Sequence, residues 1–239
     1  MERRASDGRP ITESALDRAI THGWILDEEA SILDWAARGV DQTQSDSNRA
    51  TLGRFPTVAS SAQREAAAAI AGIAPVVLVV GPAGTGKTTA LRPAVEQLRV
   101  DGRVVLGVAP SAIAAAVLGE ETGLSADTID KFLHEHRTGR PHPRFDLPVG
   151  ATVIVDEAGM VSTPKLAELA RLADQHAWRV ALVGDPLQFS AVGRGGMFGM
   201  LVDTHGGIEF DRVHRFTNDW ERDASLQLRH GNPTVADVY

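Results

Sequence analysis

Residues 76–89 read VVLVVGPAGTGKTT, an apolar run that passes through a glycine-rich turn into a helical pattern. Within it, residues 81–88 match G-x-x-x-x-G-K-[ST] at every fixed position. Glycine lets successive backbone N–H groups turn inward, and the start of the following helix adds a partial positive charge. The stretch predicts a phosphate-binding loop; the alternative is a glycine-rich turn that binds nothing. Its predicted nucleotide contacts are Gly81, Pro82, Ala83, Gly84, Thr85, Gly86, Lys87, Thr88 and Thr89.

Two side chains at the end of this loop carry the expected chemistry. Lys87 would reach the outer phosphates, and the Thr88 hydroxyl would hold Mg²⁺. The loop therefore predicts binding of ATP with Mg²⁺. It does not choose the reaction, because kinases, GTPases, transporters and motors all use such a loop.

Four short runs rich in β-branched residues alternate with helical patterns in this part of the chain. The runs span residues 76–80, 104–108, 153–155 and 180–183, and Gly, Pro or Asp bounds each of them. Strands that are apolar on both faces and separated by helices form a doubly wound, mostly parallel sheet, with ligands at the carboxyl ends of its strands. The pattern thus predicts an α/β fold of the P-loop NTPase type.

Two of the intervening helices have readable ends or interruptions. Pro93 lies inside the first and is predicted to bend or shorten it. Thr163 is predicted to cap the second, with Pro164 in its first turn. The buried positions of the two helices are predicted to be Leu91, Val95, Leu98, Leu166, Leu169 and Leu172.

The N-terminal part of the chain differs in texture from the rest. Residues 12–38 have a helical pattern that Gly39 is expected to end, and residues 41–54 are polar and turn-rich, as in a linker. We therefore predict a short helical N-terminal extension with a linker over residues 1–57 and the ATPase lobe over residues 58–239.

Composition narrows the class of protein. The 239 residues carry a formal net charge of -7 and include no cysteine, which excludes disulfides, thiol catalysis and the commoner zinc sites. No run approaches the roughly 18 apolar residues of a membrane span, so a cytoplasmic protein with no membrane partner is expected. The acidic balance argues against a protein that coats nucleic acid with its whole surface, but leaves room for a local groove.

Two adjacent carboxylates, Asp156 and Glu157, follow the apolar run at residues 153–155 within the stretch VIVDEAGM, residues 153–160. Unpaired charge at a buried strand end is costly, and a metal ion would offset it. Asp156 is predicted to orient Mg²⁺ through water, and Glu157 to polarise the water that attacks the terminal phosphate. The alternative is an N-cap pair for the following segment.

The next strand ends in GDPLQ, residues 184–188, where Gln188 is predicted to touch the γ-phosphate. A motor needs such a sensor, whereas a nucleotide kinase does not. The pair VIVDEAGMV and LVGDPLQFSAVGRGG resembles motifs II and III of superfamily 1 DNA helicases, in particular the RecD/TraI-like branch.

Further segments resemble the same family in the same order. SSAQREAAAAIAG resembles the Q motif, VLGVAPSAIAAAVLGEETG resembles motif Ia, ADTIDKFLHEH resembles the next helicase segment, and HRFTNDWERDASLQLRHGNP resembles motif IV. The resemblance implies an adenine contact by Gln63 and a charge-stabilising finger at Arg215. It also implies contacts to the DNA backbone by Pro110, Ser111 and Thr128.

Taken together, these motifs are most similar to the helicase part of conjugative relaxases of the TraI/TrwC type, whose P-loop domain is an AAA domain. The resemblance implies a RecA-like fold and the first motor lobe of a 5′-to-3′ DNA helicase that acts on single-stranded DNA; the polarity comes from the resemblance alone. A second RecA-like lobe and a relaxase domain are expected in the full-length protein. The isolated lobe is expected to bind nucleotide but to turn it over slowly.

The sequence departs from the family at three points. Ile113 stands where relatives tend to carry a basic residue, and the chain stops at Tyr239, before anything resembling motifs V and VI. A nicking domain is not expected, because the only tyrosine is the last residue and the histidines at 134, 136 and 142 are predicted to be surface-loop side chains.

Arg194 and the four tryptophans are further candidates for contact with DNA, and each also has a possible structural role. Arg194 is predicted to contact the phosphate backbone, with a solvated loop arginine as the alternative. Packing in the core or between helices is favoured over base stacking for Trp24, Trp35, Trp178 and Trp220.

Two other function classes remain open. One is a non-catalytic nucleotide-binding or interaction module left from a larger relaxase gene. The other is a small-molecule or nucleotide kinase, which needs an acceptor pocket and an arginine-rich lid; neither is visible between the acidic strand ends.

Overall fold

The computed structural model describes residues 22–40, 55, 60–82, 85–188 and 194–210. The elements in these residues are, in chain order, α1 (Gly23–Val40), α2 (Ser61–Ala71), β1 (Val76–Val80), α3 (Lys87–Val100), β2 (Val105–Ala109), α4 (Ala112–Thr122), β3 (Ala126–Thr128), α5 (Ile129–Arg137), β4 (Thr152–Val155), a 3₁₀ turn (Ala158–Met160), α6 (Thr163–His176), β5 (Arg179–Gly184), α7 (Met197–His205) and β6 (Ile208–Glu209).

The strands form one sheet in the order β3-β2-β4-β5-β1-β6, and every pair of neighbours is parallel. The four strands predicted from β-branched runs are confirmed. Sequence reasoning missed β3 and β6, because β3 has only three half-buried residues, two of them polar, and β6 has two residues. Both are short strands at the edges of the sheet.

Both faces of the sheet are buried, as expected for a doubly wound fold. Along β1, Val76, Leu78 and Val80 face one hydrophobic cluster, and Val77 and Val79 face the other. The first cluster is completed by side chains of α1, α5, α6 and α7, and the second by α2, α3 and α4. The predicted buried leucines and valine of α3 and α6 all lie in these two clusters.

Helix α1 packs as part of the lobe, although it precedes the predicted boundary at residue 58. Ile32 and Trp35 are buried against the sheet, and burying each stabilises the docked helix by about 2 kcal/mol. Gly39 lies inside the helix, whereas the sequence predicted that it would end it. A Cβ at Gly39 would lie 2.4 Å from Cγ2 of Val76, so glycine permits the close approach of α1 to β1. Residues 12–21 and the whole predicted linker, residues 41–54, lie outside the described residues.

Two predicted helix features are corrected. Pro93 does not shorten α3, which continues to Val100 with Ala94, Val95 and Leu98 buried beyond the proline; this packing outweighs one missing backbone hydrogen bond. The cap of α6 is Ser162 rather than Thr163, which is already the first helical residue, and Pro164 lies in the first turn as predicted.

Two arginines bind the carbonyl end of α2. Arg179 donates to the carbonyl oxygens of Ala74, Ile70 and Ala69, and Arg103 donates to that of Ala71. Cations are favourable at a helix C-terminus, where carbonyls lack partners within the helix. Burial lowers the pKa of both guanidinium groups, and the hydrogen bonds to these carbonyls compensate for their desolvation. Among the described helices, none is long and apolar enough to cross a membrane.

Candidate nucleotide-binding site

The carboxyl edge of the sheet gathers the predicted functional segments. The phosphate loop follows β1, the acidic pair follows β4, and GDPLQ ends β5. Because β5 lies between β4 and β1, the GDPLQ turn lies between the loop and the acids. The sheet order thus places Asp185 and the rest of the GDPLQ turn between the two predicted nucleotide-binding segments.

The described part of the phosphate loop is held from within and from α2. Thr85 is fully buried and its hydroxyl donates to the Pro82 carbonyl at 2.8 Å. Gln63 donates through Nε2 to the Thr85 carbonyl at 3.0 Å, while its Oε1 accepts from the N–H of Ser60. Gly86 caps α3 with φ +81°, and a Cβ there would lie 2.5 Å from Nε2 of Gln63. The positive φ at this position favours glycine, and a Cβ there would also displace the Gln63 amide.

Gln63, predicted to contact adenine, supports the loop backbone in this structure. Its side chain is buried and both ends of its amide have protein partners. Ala83 and Gly84 lie outside the described residues, while Gly81, Pro82, Thr88 and Thr89 take their places along the loop and the first turn of α3. The adenine contact stays a prediction.

Lys87 and the acidic pair meet at the end of β4. Lys87 Nζ lies 3.2 Å from Glu157 Oε1, and the Glu157 N–H donates to Asp156 Oδ1 at 2.9 Å. Glu157 has φ +51°, a left-handed conformation that costs a non-glycine residue about 1 kcal/mol or more. Its Oε2 is buried with no partner among the described residues. An orphaned oxygen on a strained acid is typical of a functional site rather than of a helix cap.

The electrostatics around Asp156 support the same interpretation. Burial raises the pKa of Asp156, the charge of Lys87 opposes that rise, and the carboxylates of Glu157 and Glu121 add to it. A cation would relieve this crowding of negative charge, because it favours the ionised form of each carboxyl.

The donor set fits Mg²⁺ accompanied by a phosphate ligand. The available atoms are the Thr88 hydroxyl and the Asp156 carboxylate, both hard oxygen donors, and Glu157 Oε2 lacks a partner nearby. No group of three or more His, Asp or Glu residues in the described ranges has metal-site geometry. That is compatible with Mg²⁺ in such sites, which keeps several waters and takes one or two protein ligands plus phosphate oxygens.

The GDPLQ turn packs against the acidic pair backbone to backbone. A Cβ at Gly184 would lie 2.7 Å from the Ala158 nitrogen, and a Cβ at Gly159 would lie 2.4 Å from the Asp185 carbonyl oxygen. Asp185 is 4% exposed, and its Oδ1 accepts the Leu187 N–H at 3.0 Å. Asp185 therefore shapes the turn that presents Gln188, which is half-buried at its end. Contact of Gln188 with a phosphate stays a prediction.

The predicted DNA contacts lie further along the same edge, after β2 and β3. Ala109 and Thr128 pair in register, so these strands end side by side. The Ser111 hydroxyl accepts from Ala114 N–H at the start of α4, and the Thr128 hydroxyl accepts from Lys131 N–H at the start of α5. Two helix N-termini are therefore neighbours, an arrangement suited to backbone phosphates. Near them, Ile113 is 80% exposed.

Arg194 is engaged by α1. Its guanidinium pairs with Glu28 and lies 4.6 Å from the ring centroid of Trp24, and its Nη1 is buried without a described partner. Trp24, 57% exposed, carries this cation–π contact on the surface, so the prediction that it packs in the core or between helices is wrong; Trp35 and Trp178 are buried as predicted. To contact a phosphate, Arg194 would have to leave Glu28.

The histidines near residue 140 have protein partners. His136 Nε2 lies 3.1 Å from the Phe145 carbonyl oxygen, and His142 Nδ1 accepts from the Arg144 N–H. His134 and His136 both lie in α5 rather than in a surface loop, and His136 is half-buried, which corrects the prediction for these two residues. Arg215 and Trp220 lie outside the described residues.

Glu121 is the site neighbour that sequence reasoning missed. Its carboxylate Oε2 accepts a hydrogen bond from the Thr88 hydroxyl, although 33 residues separate the two. No local pattern marks Glu121, because it is one of two adjacent glutamates in the last turn of α4 and only the packing of α4 on α3 distinguishes them.

Comparisons with known proteins show which proteins the chain is similar to. Residues 58–239 match a family model described as an AAA domain. The chain is 33% identical over 210 residues to the conjugal transfer protein TraA of Agrobacterium fabrum, across 87% of this chain and 18% of that protein. It is 32% identical over 184 residues to the RecBCD enzyme subunit RecD of Mycolicibacterium smegmatis, across 64% of this chain and 33% of that protein. The chain thus spans between about a sixth and a third of the length of these curated relatives.

Among solved structures, the Pif1 helicase of Candida albicans superposes with a TM-score of 0.56 over 77% of this chain and 47% of that chain. At 19% identity this likeness shows the fold alone. It agrees with the parallel sheet and flanking helices described above and with a RecA-like P-loop NTPase fold.

Proposed function

We propose, since the chain belongs to the AAA domain family, that it is the ATP-hydrolysing first motor lobe of a 5′-to-3′ DNA helicase and part of a conjugative relaxase-helicase. The observation that carries the proposal is the ion pair between Lys87 and Glu157 beside Asp156, at the junction of the phosphate loop and β4. The similarity to a TraA protein and to a RecD subunit supports the choice of a DNA motor over a kinase.

Each residue of the site has a separate proposed role toward the nucleotide. Lys87 would exchange the Glu157 carboxylate for phosphate oxygens, and the released Glu157, with its orphaned Oε2, would accept a proton from the attacking water. Thr88 and Asp156 would hold Mg²⁺, which, when bound, neutralises charge on the outer phosphates. Gln188 would report the state of the γ-phosphate, and Arg215 would stabilise charge in the transition state.

The DNA side of the proposal uses the neighbouring strand ends. The N-termini of α4 and α5, with Ser111 and Thr128 as caps, would contact phosphates of single-stranded DNA, together with Pro110 and Arg194. Exchange of Glu28 for a phosphate at Arg194 would link DNA binding to the docking of α1. A second RecA-like lobe and a relaxase domain would complete the full-length protein.

The test is ATP hydrolysis by the chain with and without single-stranded oligonucleotide. We expect slow hydrolysis that rises with DNA concentration and that Lys87→Ala abolishes. ATP binding with a hydrolysis rate that stays flat at every DNA concentration would contradict the motor and favour a non-catalytic nucleotide-binding module.

A further inference from the structure

The hydroxyl of Thr88 donates its hydrogen to a residue for which the sequence predicted no role. Its acceptor is Oε2 of Glu121, in the last turn of α4. A threonine hydroxyl has one hydrogen to donate and two lone pairs to offer. When Glu121 takes the hydrogen, both lone pairs of Thr88 stay available for a cation.

The backbone of α4 is fixed to α3 at this point. Arg92 Nε donates to the Glu121 carbonyl oxygen at 2.9 Å, and Arg99 donates to the carbonyl oxygen of Gly123, the C-cap of α4. Both arginines belong to the helix that begins at Lys87 and carries Thr88. Glu121 is therefore held over the first turn of α3 by backbone contacts that do not involve its own carboxylate.

The Thr88 hydrogen has an acceptor, Glu121, that is not one of the carboxylates proposed to hold the metal. Asp156 lies close enough to Lys87 and Glu121 to interact electrostatically with both. If the Thr88 hydroxyl rotated to donate to Asp156, it would occupy a carboxylate oxygen that, in the proposed site, binds the metal or its waters. An acceptor on the far side of the hydroxyl prevents that competition.

We propose that Glu121 is a positioning residue that, by accepting the hydrogen of Thr88, orients the Thr88 oxygen toward Mg²⁺. This inference rests on the proposed function, because it requires that the site bind a nucleotide with Mg²⁺. Mg²⁺ is expected to increase the affinity for nucleotide. We attribute part of this increase to the hydrogen bond between Thr88 and Glu121, and not to the negative charge of Glu121.

The experiment measures the affinity of the chain for a fluorescent ADP in excess EDTA and in saturating MgCl₂, and takes the ratio. Glu121→Ala removes the acceptor and should lower this ratio about fivefold, the loss expected for one hydrogen bond, while affinity in EDTA stays unchanged. Glu121→Gln keeps an acceptor oxygen and should retain the ratio within about twofold. Glu120→Ala is the matched control, because Glu120 is an exposed carboxylate on the same turn with no hydrogen bond or ion pair to the described residues.

The outcomes separate this inference from the function on which it rests. An equal ratio for Glu121→Ala and Glu120→Ala would overturn the inference alone, as would an equal loss in Glu121→Gln and Glu121→Ala, which would assign the effect to charge. Absence of ADP binding by the unsubstituted chain would overturn the proposed function and the inference with it. Because Glu121 is exposed, unchanged thermal melting of the variants is expected and shows that the ratio reports the site rather than the fold.

Discussion

Lys87 and Glu157 lie 70 residues apart in sequence and form an ion pair of 3.2 Å at the carboxyl edge of the sheet. The pair joins the start of α3 to the end of β4, and it leaves one oxygen of Glu157 buried without a partner in the described part of the chain. In the proposed function, a bound nucleotide would break this ion pair. Its phosphates would bind Lys87, and the released Glu157 would accept a proton from the attacking water.

Replacing Glu157 with Gln should stop hydrolysis while preserving binding. The amide keeps the shape of the side chain but cannot accept the proton of the attacking water, so the rate of ATP hydrolysis should fall about a hundredfold or more. Nucleotide affinity should stay equal or increase, because Lys87 loses a competing charge. Phosphate release and a nucleotide titration measure the two quantities, with Glu120→Gln as the control. Undiminished hydrolysis in Glu157→Gln would remove Glu157 from the proposed role.

Replacing Gly184 with Ala should destabilise the fold at the site. The new methyl group would lie 2.7 Å from the Ala158 nitrogen, a backbone atom that cannot move aside cheaply, so the free energy of unfolding should fall by about 2 kcal/mol. Gly199→Ala is the matched control, because its Cβ would meet Pro186 at an ordinary 3.5 Å. Urea unfolding compares the two variants, and equal stability would show that the two turns are not packed as described.

His136 should make stability depend on pH. Burial lowers its pKa below the ordinary value of 6.5; His176 lowers it further, while the Phe145 carbonyl, Asp146 and Glu135 act in the opposite direction. Because the folded chain binds this proton less tightly than the unfolded chain, stability contributed by neutral His136 is present above about pH 6.5. It should be lost as the pH falls from there through the lowered pKa.

The test for His136 is urea unfolding across that pH range. His136→Gln can still donate to the Phe145 carbonyl but cannot titrate, so its stability should fall less on acidification than that of the unsubstituted chain. His134→Gln, at an exposed position of the same helix, is the matched control. Identical profiles for all three proteins would contradict the assignment.

The sequence predicted what depends on local pattern. The four β-branched runs became the central strands, because apolar residues on both faces require helices on both sides. The order of the motifs predicted that Lys87, Asp156 and Glu157 would meet, since strands of a parallel sheet end at one edge.

What the sequence could not predict depends on contacts between distant elements. The Thr88 hydrogen bond to Glu121 requires the packing of α4 on α3. The ion pair of Arg194 with Glu28 and its cation–π contact with Trp24 require α1 to pack against the lobe. Neither contact has a sequence period or spacing of its own. The predicted shortening of α3 at Pro93 was wrong for a related reason, because burial of α3 outweighs the local preference of one residue.

The most direct test of the account is a titration of the chain and of Lys87→Ala with fluorescent ATP in the presence of Mg²⁺. Lys165→Ala is the control, since that lysine pairs with Asp130 away from the loop. We expect saturable binding by the unsubstituted chain and by Lys165→Ala, and loss of binding in Lys87→Ala. Undiminished affinity in Lys87→Ala would contradict the assignment of residues 81–88 as a phosphate-binding loop.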